Sequence, residues 1–200
     1  MESTFNKERF HGVIGIVYTI LKWIIRFGYL VAGITVIGFL VVLFIPKDLL
    51  DFNMANLEHI NVQFTNIMYQ INGGFFTGIV NIKSLLLLLL FAGMINLGFY
   101  LFIMIHIKKL VGSVRNNVPF EKSNAIILRN LGIGYLIASV LVSVVNSWLM
   151  VSAVNTFDVI NTTVNFSIDL QYVFIGVIIL ILAYVFSYGS YLQQEHDTTI

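Results

Sequence analysis

Cysteine is absent from the 200 residues, which removes disulfides, thiol catalysis and thiolate metal sites and leaves the compartment open. Charge is also scarce, at 10%, and its absence is patterned. Phe27–Ile45, Ser84–Ile105, Asn130–Phe157 and Leu170–Gln194 contain no Asp, Glu, Lys, Arg or His. Pumps and ion-coupled carriers usually keep an ionisable side chain at membrane depth. The four runs place none there, which argues against that class. Catalytic patterns are missing as well: there is no nucleophile elbow, phosphate loop or paired-carboxylate site. His11, His106 and His196 lack the H-x-x-x-H spacing of a metal site. Neither an enzyme nor a bound metal or cofactor is expected.

What remains is apolar: 58% hydrophobic residues and a mean hydropathy of +0.90. Each run can cross ~30 Å of hydrocarbon, which takes about 20 helical residues. The expected fold is an all-α membrane protein, a four-transmembrane-helix bundle forming one integral domain over residues 1–200, with spans near 24–45, 84–106, 130–153 and 171–190. The longest stretch between runs, Pro46–Lys83, is 38 residues and half apolar, too little for a separate catalytic domain. Met1–Arg9 is polar and no A-x-A-like site follows the first apolar run, so the first run reads as a retained helix.

Orientation follows from the basic residues. Lys7, Arg9, Lys22 and Arg26 precede the first span, and Lys108, Lys109, Arg115, Lys122 and Arg129 lie in the middle connection. That is 4 + 5 = 9 of 11, with only Lys47 and Lys83 on the other side. The positive-inside rule then puts both termini and the middle loop in the cytoplasm, consistent with an even number of spans. A net charge of +1 gives no reason to expect direct binding to nucleic acid.

Apolar residues recur at helical spacing from Phe10 to Leu21. An unbroken helix from there to Ile45 would be ~54 Å long. Either an interfacial segment leads into the first span with Lys22 and Arg26 at headgroup level, or one long helix tilts. Pro46 ends it. On the outer side, His59–Thr65 and Val164–Gln171 alternate apolar and polar residues, the signature of half-buried strands. Pairing of the two would make a two-stranded ribbon, a small extracytoplasmic cap. Asn66–Thr77 reads as an interfacial helix or turn. Asn161 and Asn165 head acceptor-type glycosylation triplets, which matter only in a eukaryotic source. Ser139, Ser143 and Ser147, beside Asn146, form one face of the third helix. Gly28, Gly33, Gly38, Gly93, Asn96 and Gly98 offer further small or polar surfaces for helix packing. A polar path along Asn96, Ser143 and Asn146 is the functional alternative to packing.

Two stretches are more specific. Val118–Asn124 leads into Ile127–Gly132 at the start of the third span, and Tyr188–Ile200 ends the chain. Their residues Pro119, Phe120, Asn124, Leu128, Arg129 and Gly132, and Gly189, Leu192, Gln193, Glu195, Asp197, Thr199 and Ile200, resemble the loop and tail motifs of a bacterial family of four-span membrane proteins, domain of unknown function 2975. The resemblance covers the whole chain in layout and implies residence in the bacterial cytoplasmic membrane. Family members often neighbour a small helix-turn-helix regulator in the genome, which implies a partner of that kind and no particular reaction. Independently, Arg129 is placed by the charge pattern to grip the carboxylate of Glu195 or Asp197 and so clamp tail to loop.

The leading expectation is a non-enzymatic regulatory or interaction protein with a docking face made of cytoplasmic loop and tail. Its partners are the lipid bilayer, a helix-turn-helix regulator or another membrane protein, and a second copy in a homo-oligomer. The alternative is a small-molecule exporter or an immunity-type membrane protection protein.

Overall fold

The structure is a computed structural model that describes residues 2–53, 59–64, 67–72, 79–157, 166 and 168–198. Four helices dominate: α1 (Glu2–Phe44), α2 (Lys83–Arg115), α3 (Lys122–Thr156) and α4 (Leu170–Thr198). All four are long and apolar enough to cross a membrane, and the fold is the all-α four-helix bundle expected of the four charge-free runs. Val and Ile are tolerated throughout, because in hydrocarbon the backbone must bond within its own segment. Both prolines fall outside the helices, Pro46 just beyond α1 and Pro119 between α2 and α3.

No break separates an interfacial segment from the first span. α1 is continuous over 43 residues, ~64 Å at 1.5 Å per residue. Its charges still mark an interface: the Arg26 guanidinium lies 5.3 Å from the centre of the Trp23 ring, a pairing suited to headgroup level. Phe27–Phe44 then supplies about 27 Å of apolar helix.

The chain divides into two compact units. One comprises Met1–Val31, Leu97–Val140 and Asp169–Ile200; the other comprises Ala32–Asn96 and Leu141–Ile168. Helices α1, α2 and α3 run through both, and α4 belongs to the first.

In the second unit, a short 3-10 turn (Lys47–Leu50) follows Pro46 and leads to β1 (Asp51–Asn53), β2 (His59–Phe64), β3 (Ile67–Asn72) and β4 (Ile79–Asn81). β1 pairs with β4 and β2 with β3, both antiparallel, with Ile60 opposite Ile71 and Val62 opposite Tyr69. The alternation at His59 does mark a strand, but its partner is the next segment. Within the segment expected as an interfacial helix or turn, Ile67–Asn72 is β3 and the other positions lie outside the described residues. The ribbon with Val164–Gln171 is not present among the described residues: Phe166, Ile168 and Asp169 are not strand, Leu170 and Gln171 open α4, and the other positions lie outside the described residues. Closing a short hairpin loop costs far less chain entropy than closing one of about a hundred residues.

Side chains staple the end of α1 to the start of α2. Lys83 Nζ donates to the carbonyls of Leu43 at 3.0 Å and Ile45 at 2.5 Å, two of the acceptors a helix end leaves unpaired. The Asn81 amide donates to the Lys47 carbonyl at 2.9 Å and to Asp51 Oδ1, while its oxygen accepts from Lys83 N at 3.1 Å.

In the first unit the core is built from Leu21, Ile25, Ile103, Ala125, Leu128, Leu131, Ala138 and Ala183. Small residues admit large neighbours. Leu101 fills the space beside Gly28, and Phe102 that beside Gly134. Helices α3 and α4 approach backbone to backbone: a Cβ on Gly132 would lie 3.0 Å from the Gly176 carbonyl, and one on Gly176 would lie 3.1 Å from that of Gly132. Such contact is a main source of helix association in lipid, where apolar burial alone contributes little.

Candidate functional site

The α2–α3 connection is a built structure. At the end of α2, Asn117 N donates to Val114 O at 3.1 Å and Val118 N to Ser113 O at 3.1 Å. Asn117 has φ 60°, so this is a Schellman cap with Asn in the left-handed position usually given to glycine. Pro119 follows, as expected after a cap, and Glu121 N closes a turn onto Val118 O at 3.3 Å.

Asn124, on the first turn of α3, locks this loop. It is 2% exposed, and its amide nitrogen donates to Val118 O at 3.1 Å and Pro119 O at 2.8 Å, and reaches Ser113 Oγ. Ser113 Oγ also donates to Val118 O at 2.6 Å. Two turns of chemistry converge on one carbonyl, which explains why the position needs an amide donor. Asn124 Oδ1 is buried with no hydrogen-bond partner among the described residues, a desolvation cost of about 1–3 kcal/mol that the loop's other bonds must offset.

Phe120 joins loop to tail. Its ring lies 5.4 Å from that of Phe186, and a Cβ on Gly189 would sit 3.2 Å from its Cδ1. The glycine of the tail motif therefore makes room for the phenylalanine of the loop motif. Around this contact Val118, Phe120, Tyr188, Tyr191 and Leu192 stay exposed. Gly132, the last loop-motif residue, forms the close contact with Gly176.

The expected clamp of Arg129 on Glu195 or Asp197 involves a side chain, that of Asp197, outside the described residues. Arg129 lines a groove with Leu180, Ala183, Tyr184 and Ser187, whereas Glu195 lies eight residues beyond Ser187, about 12 Å along the helix. Glu195 accepts a hydrogen bond from Tyr191 Oη, one turn back on α4. Gln193 is exposed. The side chain of Asp197, and Thr199 and Ile200 altogether, lie outside the described residues.

Lys108, Lys109, Asn124 and Tyr18 share a cleft of about 580 Å³. The Lys108 ammonium and the Arg115 guanidinium each lie 5.4 Å from the centre of the Tyr18 ring, as expected of cations at a water–membrane boundary.

A second cavity, about 240 Å³, brings an ionisable side chain from outside the charge-free runs beside residues of two of them. It is lined by Phe99 and Tyr100 of α2, Tyr135 of α3, and Asp169, Gln171 and Tyr172 at the start of α4. Tyr135 lies about 9 Å along α3 from Arg129, and Phe99 about 14 Å along α2 from Lys108, so both lie inside the charge-free parts of their helices. Asp169 is the N-cap of α4, with Oδ1 accepting from Gln171 N at 2.9 Å. It lies one residue outside the fourth charge-free run, and packing carries it to the level of two others. Sequence reasoning placed it on an outer strand and missed the site; the capping position before an apolar run was the available signal. Of the polar path, Asn96 donates to Ala92 O at 2.9 Å within its own helix, which is a packing arrangement. Among the described residues no group of acidic or histidine side chains could hold a metal.

Residues 53–200 match the model of the family described as Protein of unknown function (DUF2975). The chain belongs to that family. No curated protein and no solved structure matches it.

Proposed function

We propose that this member of the family is a non-enzymatic regulatory or interaction protein of the bacterial cytoplasmic membrane, with both termini and the α2–α3 loop in the cytoplasm. The loop and tail act as one docking face. The observation that carries this reading is the seating of Phe120 on Gly189 and Phe186, with exposed apolar and aromatic side chains around it. An aromatic anchor on a pinned loop is suited to partner recognition, because little side-chain freedom is lost on binding. The orientation rests on the basic residues. The partner is a small helix-turn-helix regulator or another membrane protein, and DNA is reached only through such a partner.

The test is affinity purification of the tagged full-length protein in mild detergent. Wild type brings down a stoichiometric soluble partner, and Phe120→Ala lowers its recovery on the order of tenfold, the scale of an interface hot spot. Tyr184→Ala, in the separate Arg129 groove, leaves recovery unchanged. Recovery unaffected by Phe120→Ala would overturn the docking face. The alternative, small-molecule export or immunity-type protection, takes its support from the cavity beside Asp169. It gains if the protein protects cells from a small molecule and brings down no partner.

A further inference from the structure

The cleft between α1, α2 and the loop after α2 gathers more positive charge than negative. Lys108 and Lys109 both line it, against one carboxylate, that of Glu121. Tyr18 forms its wall on α1. Gly112 lets that ring lie against α2, since a Cβ there would meet Tyr18 Cε2 at 3.4 Å. The ring is shared by two cations, with the Lys108 ammonium and the Arg115 guanidinium each 5.4 Å from its centre. Arg115 lies in the last turn of α2 and complements the negative end of that helix. Lys108 and Lys109 stand about two turns earlier, where that effect has faded, so the helix end does not account for them.

Polarity changes along the cleft. Lys109, Ser113 and Asn116 line one part and Ile25 and Ile105 another. The helices run antiparallel here, for Gly28 meets Leu101 and Gly112 meets Tyr18. Ile25 follows Tyr18 on α1 and Ile105 precedes Lys108 on α2, so both isoleucines lie to the same side of the cationic part. An anionic headgroup joined to acyl chains has the same profile, a compact charge continuing into hydrocarbon. About 580 Å³ is within the range of small-molecule sites and far more than a bare phosphate fills. Lysine suits a phosphate, which it meets as a point charge on a flexible stem. Basic pockets between membrane helices hold lipid headgroups in this way.

We propose that the cleft lined by Tyr18, Lys108, Lys109 and Asn116 binds the phosphodiester headgroup of an anionic phospholipid. The apolar end of the cleft selects a lipid over a free phosphate ester. The cleft shares the α2–α3 loop with the docking face, through Val118 and Asn124, but Phe120 does not line it. Different side chains therefore test the two readings, and one can fail without the other.

The probe is phosphatidylglycerol, added to the purified full-length protein in a non-ionic detergent, with zwitterionic phosphatidylcholine as the reference. Native mass spectrometry reads the lipid retained. Phosphatidylglycerol is held at least about fivefold more tightly than phosphatidylcholine, and Lys108→Gln and Lys109→Gln each weaken it about fivefold, the contribution of one basic residue beside anionic lipid. Lys108→Arg keeps the charge and keeps the binding. Lys122→Gln removes the same charge from the Arg129 groove and leaves retention unchanged. Lys109 is exposed, so its replacement leaves thermal unfolding in lipid-free detergent as in wild type and separates binding from folding. Equal retention of the two lipids, wild-type retention in the Lys108→Gln, Lys109→Gln double variant, or an equal loss in Lys122→Gln would each overturn the proposal. Displacement of the lipid by an equal concentration of glycerophosphate would assign the cleft to a soluble phosphate ester and overturn it as well.

Discussion

Gly132 and Gly33 are both glycines inside long apolar helices, and their surroundings are opposite. In the first unit, a Cβ on Gly132 would meet the Leu180 side chain at 2.8 Å and the Gly176 backbone at 3.0 Å. In the second, one on Gly33 would meet nothing within 4 Å. The same holds for Gly93, and Gly38 just reaches Leu90 at 4.0 Å. In the first unit Gly132 and Gly176 bring two backbones together and Gly28, Gly134 and Gly189 admit large side chains, whereas Gly12, Gly15 and Gly98 meet nothing within 4 Å. The second joins α1 to α2 with side-chain and strand hydrogen bonds instead. Small residues in a membrane helix thus mark packing only where a second helix arrives at the same level.

The largest effect that would test this contrast is at Gly132. Gly132→Leu is expected to prevent folding, and Gly132→Ala to cost about 1–3 kcal/mol, the scale of overpacking a filled site. Gly33→Ala should be neutral or stabilising by up to about 1 kcal/mol through helix propensity. Thermal unfolding in one detergent compares the two, and equal responses would end the distinction between the two sites.

A middle-sized effect is expected at Asn124. Asn124→Ala removes the donor to two loop carbonyls and should cost about 1–3 kcal/mol, with faster tryptic cleavage at Arg115 and Lys122. Asn124→Asp is nearly isosteric yet turns an acceptor toward those carbonyls, so it should cost at least as much. A silent Asn124→Asp would mean the loop is held by its backbone cap, Ser113 and Phe120 without the Asn124 amide.

The smallest effect concerns the end of the tail. Double-mutant cycles should show coupling between Tyr191 and Glu195 and additivity between Arg129 and Glu195, because α4 places Glu195 next to its own helix neighbour. Coupling to Arg129 would restore a charge clamp as the link between loop and tail and demote the Phe120–Gly189 contact.

Much of the architecture was legible in local pattern. Four charge-free runs dictate four helices, since hydrocarbon leaves an isolated segment no other way to satisfy its backbone. Period-two alternation marked β2, and Pro46 marked the end of α1. The loop and tail motifs were recognised as belonging together, and Phe120 and Gly189 do meet. Opposite charges suggested a link from Arg129 to Glu195 or Asp197; the contact seen between loop and tail is that of Phe120 with Gly189 and Phe186, a matter of helix register.

The sequence alone therefore determined the number and kind of elements, because chain connectivity and solvent preference act over a few residues at a time. Tertiary structure alone decided which glycines touch, that β2 pairs with β3, and that Asp169 stands among Phe99, Tyr135 and Tyr172. Helices that are apolar on every side carry no stripe to show which face meets which neighbour. The level at which α4 meets α3 is likewise seen only in the Gly132–Gly176 approach, a contact between residues more than forty positions apart.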